Sequence, residues 1–195
     1  MDTWGIDNAP HMLKAAESNL RREPPEVRSR VHLELADVRD FNLSEAFGLV
    51  YFPSFSFDHL LERIDQIKAL EAIRGHIAPS GVYAFDLAQV PILEEDNGWF
   101  VQRRPLDERR TVVRTGFHRT DPKRRLMSVD LWYELYEDGR MVERYFEGGE
   151  VYVHTPDGIR QLLQETGFEV EAWYGGHGKQ EFTGESEMVV VARPV

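Results

Sequence analysis

The order of apolar runs predicts an α/β fold: a doubly wound, mostly parallel sheet that ends in an antiparallel strand, with an antiparallel β insert near its middle. Three observations carry this. The runs at 48–53 and 82–87 are apolar on both parities, as strands covered on both faces are. Apolar residues before and between them recur at helical spacing. From residue 111 onward, aromatic-rich segments are joined by turn sequences of hairpin type.

Taken in order, residues 1–6 read as a strand ending at Asp7, and Asn8-Ala9-Pro10 opens a helix with a cap and a first-turn proline. Met12, Leu13, Ala16 and Leu20 give that helix its apolar face, and Pro24-Pro25 stops it. Residues 31–36 alternate with period two and end at Asp37. After the central run 48–53, apolar positions from Leu60 to Ile77 predict one long amphipathic helix over about 58–77, ended by Pro79-Ser80-Gly81. Residues 82–87 form the next buried strand, and 88–110 read as a charged loop with a short helical turn. Three strands follow, about 111–120, 126–137 and 140–154, the last two joined by Asp138-Gly139. Thr155-Pro156-Asp157 caps a helix with Ile159, Leu162 and Leu163 inward and Gly167 as its stop. Strands at 168–174 and 187–193 close the chain.

Composition bounds the function. The 195 residues carry 23 Lys and Arg against 34 Asp and Glu, a net charge of −11, and no cysteine. One domain of this size builds a full apolar core. Disulfides, thiolate metal sites and a cysteine nucleophile are excluded. The acid excess disfavours a nucleic-acid partner, and no apolar stretch reaches the length of a membrane span. The expected location is the cytoplasm. The seven histidines show no metal-ligand spacing, so no metal is expected.

Ligands of open α/β sheets bind beyond the carboxyl ends of the strands, where Asp7, Asp37, Tyr51 to Ser54 and Asp86 to Ala88 fall. Asp7 is placed either to accept hydrogen bonds from ribose hydroxyls or to cap the following helix. Asp37 either accepts from an exocyclic amine while the next backbone N–H reads a ring nitrogen, or is a turn aspartate.

Gly5-Ile6-Asp7-Asn8-Ala9-Pro10, Ala36-Asp37-Val38-Arg39-Asp40-Phe41, Phe47 to Pro53, Ser56-Phe57-Asp58-His59-Leu60, His76 to Gly81 with Phe85-Asp86, then Gly167-Phe168 and Val189 to Arg193, resemble the ordered motifs of class I S-adenosylmethionine-dependent methyltransferases. The resemblance covers nearly the whole chain. It implies a Rossmann-like sheet and S-adenosylmethionine as cofactor, and the net acidity favours a small-molecule methyl acceptor. It places Asp7 on the ribose, Met12 near the adenine, Asp37 and the Val38 N–H on the adenine edge, and the backbone around Phe52 beside the methionine moiety. It divides the chain into a cofactor half (1–87), an insert over the acceptor (88–154) and a terminal helix with two strands (155–195). His59 is the candidate general base. Tyr133, Tyr145 and His177 are candidate groups on the acceptor side, whereas His32 and His154 read as packing residues.

The family's first strand, glycine-rich turn and helix, roughly 30 residues of a βαβ unit, would precede Asp7, and six residues do. Gly175-Gly176-His177-Gly178 follows a late strand and opens no helix, so it is not that turn. The expectation is a start assigned too far downstream, with the strands ending at Asp7 and Pro53 left to pair with each other, borrow a partner or keep open edges. One rival reading is a non-catalytic relative acting through assembly, including a homodimer through an exposed sheet edge. The other is a nicotinamide-dependent oxidoreductase, against which Asp37-Val38 and the antiparallel ending argue.

Overall fold

The computed structural model describes residues 1–88, 97–184 and 187–195. The chain begins with β1 (Thr3–Asp7), α1 (Pro10–Leu20), a one-turn α2 (Pro25–Arg28) and β2 (Val31–Leu35). Next come β3 (Phe47–Phe52), a 3-10 turn (Ser56–His59), α3 (Arg63–Gly75) and β4 (Ile77–Leu87). β5 (Asn97–Pro105), β6 (Arg110–Asp121), β7 (Leu126–Glu137) and β8 (Arg140–Tyr152) form the insert, and α4 (Pro156–Glu165), β9 (Phe168–Tyr174) and β10 (Met188–Pro194) complete the chain.

The strands form three sheets. β1 and β2 are a parallel pair. β3-β4-β10-β9 is a four-stranded sheet in which only β3–β4 is parallel. The insert is a four-stranded antiparallel meander in the order β5-β6-β7-β8. The expected single, mostly parallel sheet is therefore corrected. Among the described residues no strand joins β1 to β3, so each keeps one edge unpaired, and half of the α/β pairings are antiparallel.

Two further corrections have local causes. The expected long helix is split: Ser56–His59 is a separate 3-10 turn, and the chain is extended at Glu62 before α3 starts. The split lets Phe57 enter the core completely while Ile64, counted as inward by its spacing, stays exposed. Pro79 to Gly81 do not end the helix either, which stops at Gly75. They lie within β4, where the register against β3 jumps from Phe47↔Ile77 to Leu49↔Val82, a bulge that tolerates a proline without an N–H. A Cβ on Gly81 would sit 2.6 Å from the Phe47 carbonyl oxygen, so the close approach of the two backbones requires glycine.

The region expected to be a loop, 88–110, contains β5, whose partner is β6; the rest of that expectation, at 89–96, lies outside the described residues. Pairing across a hairpin outweighs the weak strand propensity of Gly98, Arg103 and Arg104. The expected α4 and β9 appear as read, with Thr155 Oγ1 accepting from Gly158 N–H at the helix start.

The core is built by Phe57, Leu70 and Ile73 packing with Tyr83, Phe85 and Leu87 of β4, with Ile159, Leu162 and Leu163 of α4, and with Met188, Val190 and Ala192 of β10. No residue before Phe57 is buried. The β1–α1–β2 unit is tied to this body through the loop after β2: Arg39 bridges to Asp65 of α3 at 3.0 Å, Phe41 stacks on His76, and Leu43 N–H donates to His76 Nε2 at 2.9 Å. Among the described residues no helix is long and apolar enough to cross a membrane.

Candidate functional site

Two antiparallel steps, β4 to β10 and β10 to β9, make β9 run in the same direction as β4. The carboxyl ends of β3, β4 and β9 and the start of β10 therefore lie along one edge of the sheet. This is the edge at which open α/β folds bind ligands.

At that edge Asp86, one residue before the end of β4, is a buried carboxylate with three donors around it. Phe55 N–H donates to Oδ1 at 2.7 Å, His177 Nε2 lies 3.0 Å from Oδ2, and the Tyr51 side chain lies close to the carboxyl. Partial burial, with Asp86 and Glu187 nearby, raises the Tyr51 pKa and keeps its proton in place. With Nε2–H given to Asp86, Nδ1 is left as the acceptor of the His177 ring. His177 is half-exposed. The turn that brings Phe55 N–H to Asp86 is strained: Ser54 and Phe55 have φ of 62° and 57°, the left-handed region. Asp86 thus fixes the turn after β3 and orients the imidazole from the loop after β9.

A second buried pair sits where the insert leaves and rejoins the body. Asp58 Oδ2 accepts from Ala88 N–H at 3.0 Å, at the exit, while Oδ1 faces His154 Nε2, at the return, across 3.8 Å. Among the described residues neither Oδ1 nor Nε2 has a hydrogen-bond partner. Burial, reinforced by the charge of Asp86 and opposed by the Ala88 bond, pushes the Asp58 carboxyl up to about 7. Burial and the nearby Arg125 push His154 down to about 3. The pair is held near neutrality by desolvation and not as an ion pair.

The residues singled out from sequence fall as follows. Asp7 ends β1 and its Oδ1 accepts from Ala9 N–H at 2.8 Å, the helix-start role, which uses one of its two oxygens. Met12 is exposed on α1. Both oxygens of Asp37 are gripped by Arg39, Nε to Oδ1 at 2.9 Å and Nη2 to Oδ2 at 2.7 Å, with Arg39 N–H also on Oδ1, and these bonds hold the carboxyl below its usual range. Val38 packs against the core, and Phe52 meets Phe57 edge to face. His59 is exposed on the 3-10 turn; its neighbour Asp58 is the buried one.

Tyr133 and Tyr145 face each other across β7 and β8. That rung is seven residues from the base of the insert at Leu126, about 23 Å along the strand. Tyr145 gives its hydroxyl to Glu143, and Tyr133 lies near the Arg114 guanidinium. The structure brings His177 to Asp86, while Tyr133 and Tyr145 lie far up the insert. Asp58 and Phe55 were missed, and His154 was read as packing alone; a carboxylate followed by histidine just after a central strand was the one signal available. Among the described residues no cluster of His, Asp and Glu is arranged to hold a metal.

No protein-family model matches the sequence, and no curated protein matches it. Solved structures do. An S-adenosylmethionine-dependent methyltransferase from Clostridium acetobutylicum superposes with a TM-score of 0.83 at 18% identity, over 100% of this chain and 75% of the other. The CcbJ methyltransferase from Streptomyces caelestis gives 0.84 at 15% identity with the same coverage. CalS10, an amino pentose methyltransferase from Micromonospora echinaspora, gives 0.75 at 21% identity, over 97% and 73% of the two chains. The chain has the fold of the S-adenosylmethionine-dependent methyltransferases.

Proposed function

We propose that this chain binds S-adenosylmethionine and directs methyl transfer to a small-molecule acceptor bearing an amine or hydroxyl. The observation that carries the reading is the Asp86–His177 pair, with Tyr51 beside it, at the carboxyl edge of a methyltransferase fold. The resemblance of the fold to an amino pentose methyltransferase supports an acceptor of that size and chemistry.

The cofactor would supply an electrophilic methyl group on a sulfonium. The residues that would hold it are Asp7, through the oxygen not used by Ala9; Asp37 with the Val38 N–H; Met12; and the backbone around Phe52. The donor set fits in part. The carboxylates stand at strand ends as the cofactor requires, but the Arg39 fork must swing from Asp37 before an adenine amine can bond there.

His177 Nδ1 takes the acceptor's proton, Asp86 holds the ring and stabilises the imidazolium that results, and Tyr51 stays protonated as a donor. We assign this role to His177 in preference to His59, because only His177 has a carboxylate to orient it. The base of the insert lies beside this site, and Tyr133 and Tyr145, seven residues up the strands, stand too far from His177 to meet an acceptor of that size.

Isothermal titration with S-adenosylmethionine tests the reading, with NAD run in parallel. Binding with a Kd on the order of 0.1–1 mM is expected, and none of NAD. Absence of S-adenosylmethionine binding at millimolar concentration, or preference for NAD, overturns it.

A further inference from the structure

The chain leaves the body for the insert after β4 and returns before α4, and the side chain of Asp58 reaches both crossings. Oδ2 accepts from Ala88 N–H at 3.0 Å on the way out, and Oδ1 faces His154 Nε2 across 3.8 Å on the way back. His154 stands on the insert's side of that gap. Its ring packs on Phe57 at 5.4 Å and edge-on against Tyr152 at 4.8 Å. Its neighbour Val153 is tied to the turn between β6 and β7: Val153 N–H donates to the Arg125 carbonyl at 2.8 Å, and the Arg125 guanidinium donates back at 2.6 and 2.9 Å.

Asp58 stands on the body's side. Two reciprocal bonds clasp its turn to the end of β4, since Phe55 N–H donates to Asp86 and Ala88 N–H donates to Asp58. The carboxylate that holds His177 and the carboxyl that faces His154 therefore belong to one unit. A pull on Asp58 is a pull on Asp86.

The 3.8 Å gap suits no stable contact. It is about 1 Å too long for a hydrogen bond. It is too short for one bridging water, which at about 2.8 Å from each partner needs roughly 4.5 Å between them. Asp58 and His154 are 2% and 5% exposed, and among the described residues neither facing atom has a hydrogen-bond partner. Buried polar atoms in native proteins are rarely left so. The groups are chemically complementary. Oδ2 is taken up by Ala88, so a carboxyl proton stands on Oδ1, and a neutral imidazole offers Nε2 as the acceptor. Burial favours both neutral forms, lifting Asp58 to about 7 and lowering His154 to about 3, with Asp86 and Arg125 the charged groups that act on them.

We propose that Asp58 and His154 form a latch at the neck of the insert, open in this structure, which an Oδ1–H···Nε2 bond closes to set the position of Asp86. The role rests on the reading of Asp86 and His177 as the pair that acts on the acceptor. Asp58 touches no reacting atom and is a positioning residue. Closing moves the neck by about 1 Å, enough to make or break a contact such as the 3.0 Å one between Asp86 and His177. A displacement of that size at a reacting group costs on the order of 100-fold in rate.

Proton–nitrogen NMR of the full chain, labelled in its histidine rings and asparagine side chains, tests this at about pH 6, where Asp58 holds its proton. Circular dichroism checks folding. The wild type is expected to show a slowly exchanging carboxyl proton coupled to His154 Nε2. Asp58→Asn preserves both bonds, its amide oxygen on Ala88 N–H and its amide N–H on Nε2, and leaves the His177 ring signals in place. His154→Phe keeps the aromatic packing and the Ala88 bond but removes the latch, and the His177 ring signals shift. Asp58→Ala loses both bonds and shifts them at least as far. A His154 Nε2 that carries its own proton, an Nε2 with no proton bonded to it across the gap, failure of Asp58→Asn to preserve the His177 signals, or unchanged signals in a folded His154→Phe variant overturns the proposal. The wild-type and Asp58→Asn spectra carry the test by themselves if another variant does not fold. No readout uses S-adenosylmethionine, so the latch and the cofactor reading fail separately.

Discussion

Asp58→Asn and His154→Gln are expected to give this protein opposite dependences of stability on pH, although the wild type shows little from either group. Burial sets the folded Asp58 near 7 against 3.8 for the free group, and the folded His154 near 3 against 6.5. Between pH 3.8 and 6.5 the folded pair holds one proton, on Asp58, and the unfolded pair holds one, on His154. Proton uptake on unfolding cancels, and so does the slope. Asparagine at 58 keeps an oxygen for Ala88 N–H and leaves His154 alone. That histidine favours the folded state above its unfolded pKa, and its contribution is lost as pH falls from 6.5 towards 3. At about 1.4 kcal/mol per pH unit once the unfolded histidine is fully protonated, the variant loses about 2.3 kcal/mol between pH 6.5 and 4.5.

Glutamine at 154 leaves Asp58, whose raised pKa favours folding at low pH, so that variant loses about as much between pH 4.5 and 6.5 as the pH rises through the same window. Asp86 adds to the upward shift of Asp58 and Arg125 to the downward shift of His154, and each stays in place in the variant whose slope it helps to set. Urea unfolding at half-unit steps of pH measures the slopes. Parallel profiles for the two variants would refute the assignment of a neutral buried pair.

Asp86→Asn turns an acceptor towards His177 Nε2–H into an amide donor, so the imidazole is expected to move its proton to Nδ1; ¹⁵N spectra of the histidine ring report the tautomer directly. An unchanged Nε2–H tautomer would show that Asp86 does not orient the ring. Gly81→Ala forces a methyl group to 2.6 Å from the Phe47 carbonyl and 2.8 Å from Ile77 Cγ2, with a cost of about 1–3 kcal/mol in denaturant unfolding. Unaltered stability would show that the β4 bulge shifts freely.

Legibility tracked the range of the interaction. The α4 helix could be read because its cap, its apolar face and its stop at Gly167, with φ of 77°, are all local. The run at 82–87 declared itself by being apolar on both parities, which is the mark of burial whichever strands lie beside it. β5 could not be read, because Asn97–Pro105 is a strand only by virtue of pairing with β6. The long helix failed because spacing alone does not register that Phe57 and Asp58 are claimed by the core and by Ala88.

The amino-acid sequence by itself determined the order of elements, the carboxylates at the strand ends and the presence of an antiparallel insert, because these follow from periodicity and turn chemistry within a few residues. Tertiary structure alone decided that the sheet divides between β1 and β3 and that burial holds both Asp58 and His154 neutral at the insert's base. It also decided that Asp86 and His177, 91 residues apart, share a hydrogen bond. Each of these depends on strands and loops that meet only after the chain has folded, where desolvation and long-range pairing outweigh anything a local pattern records.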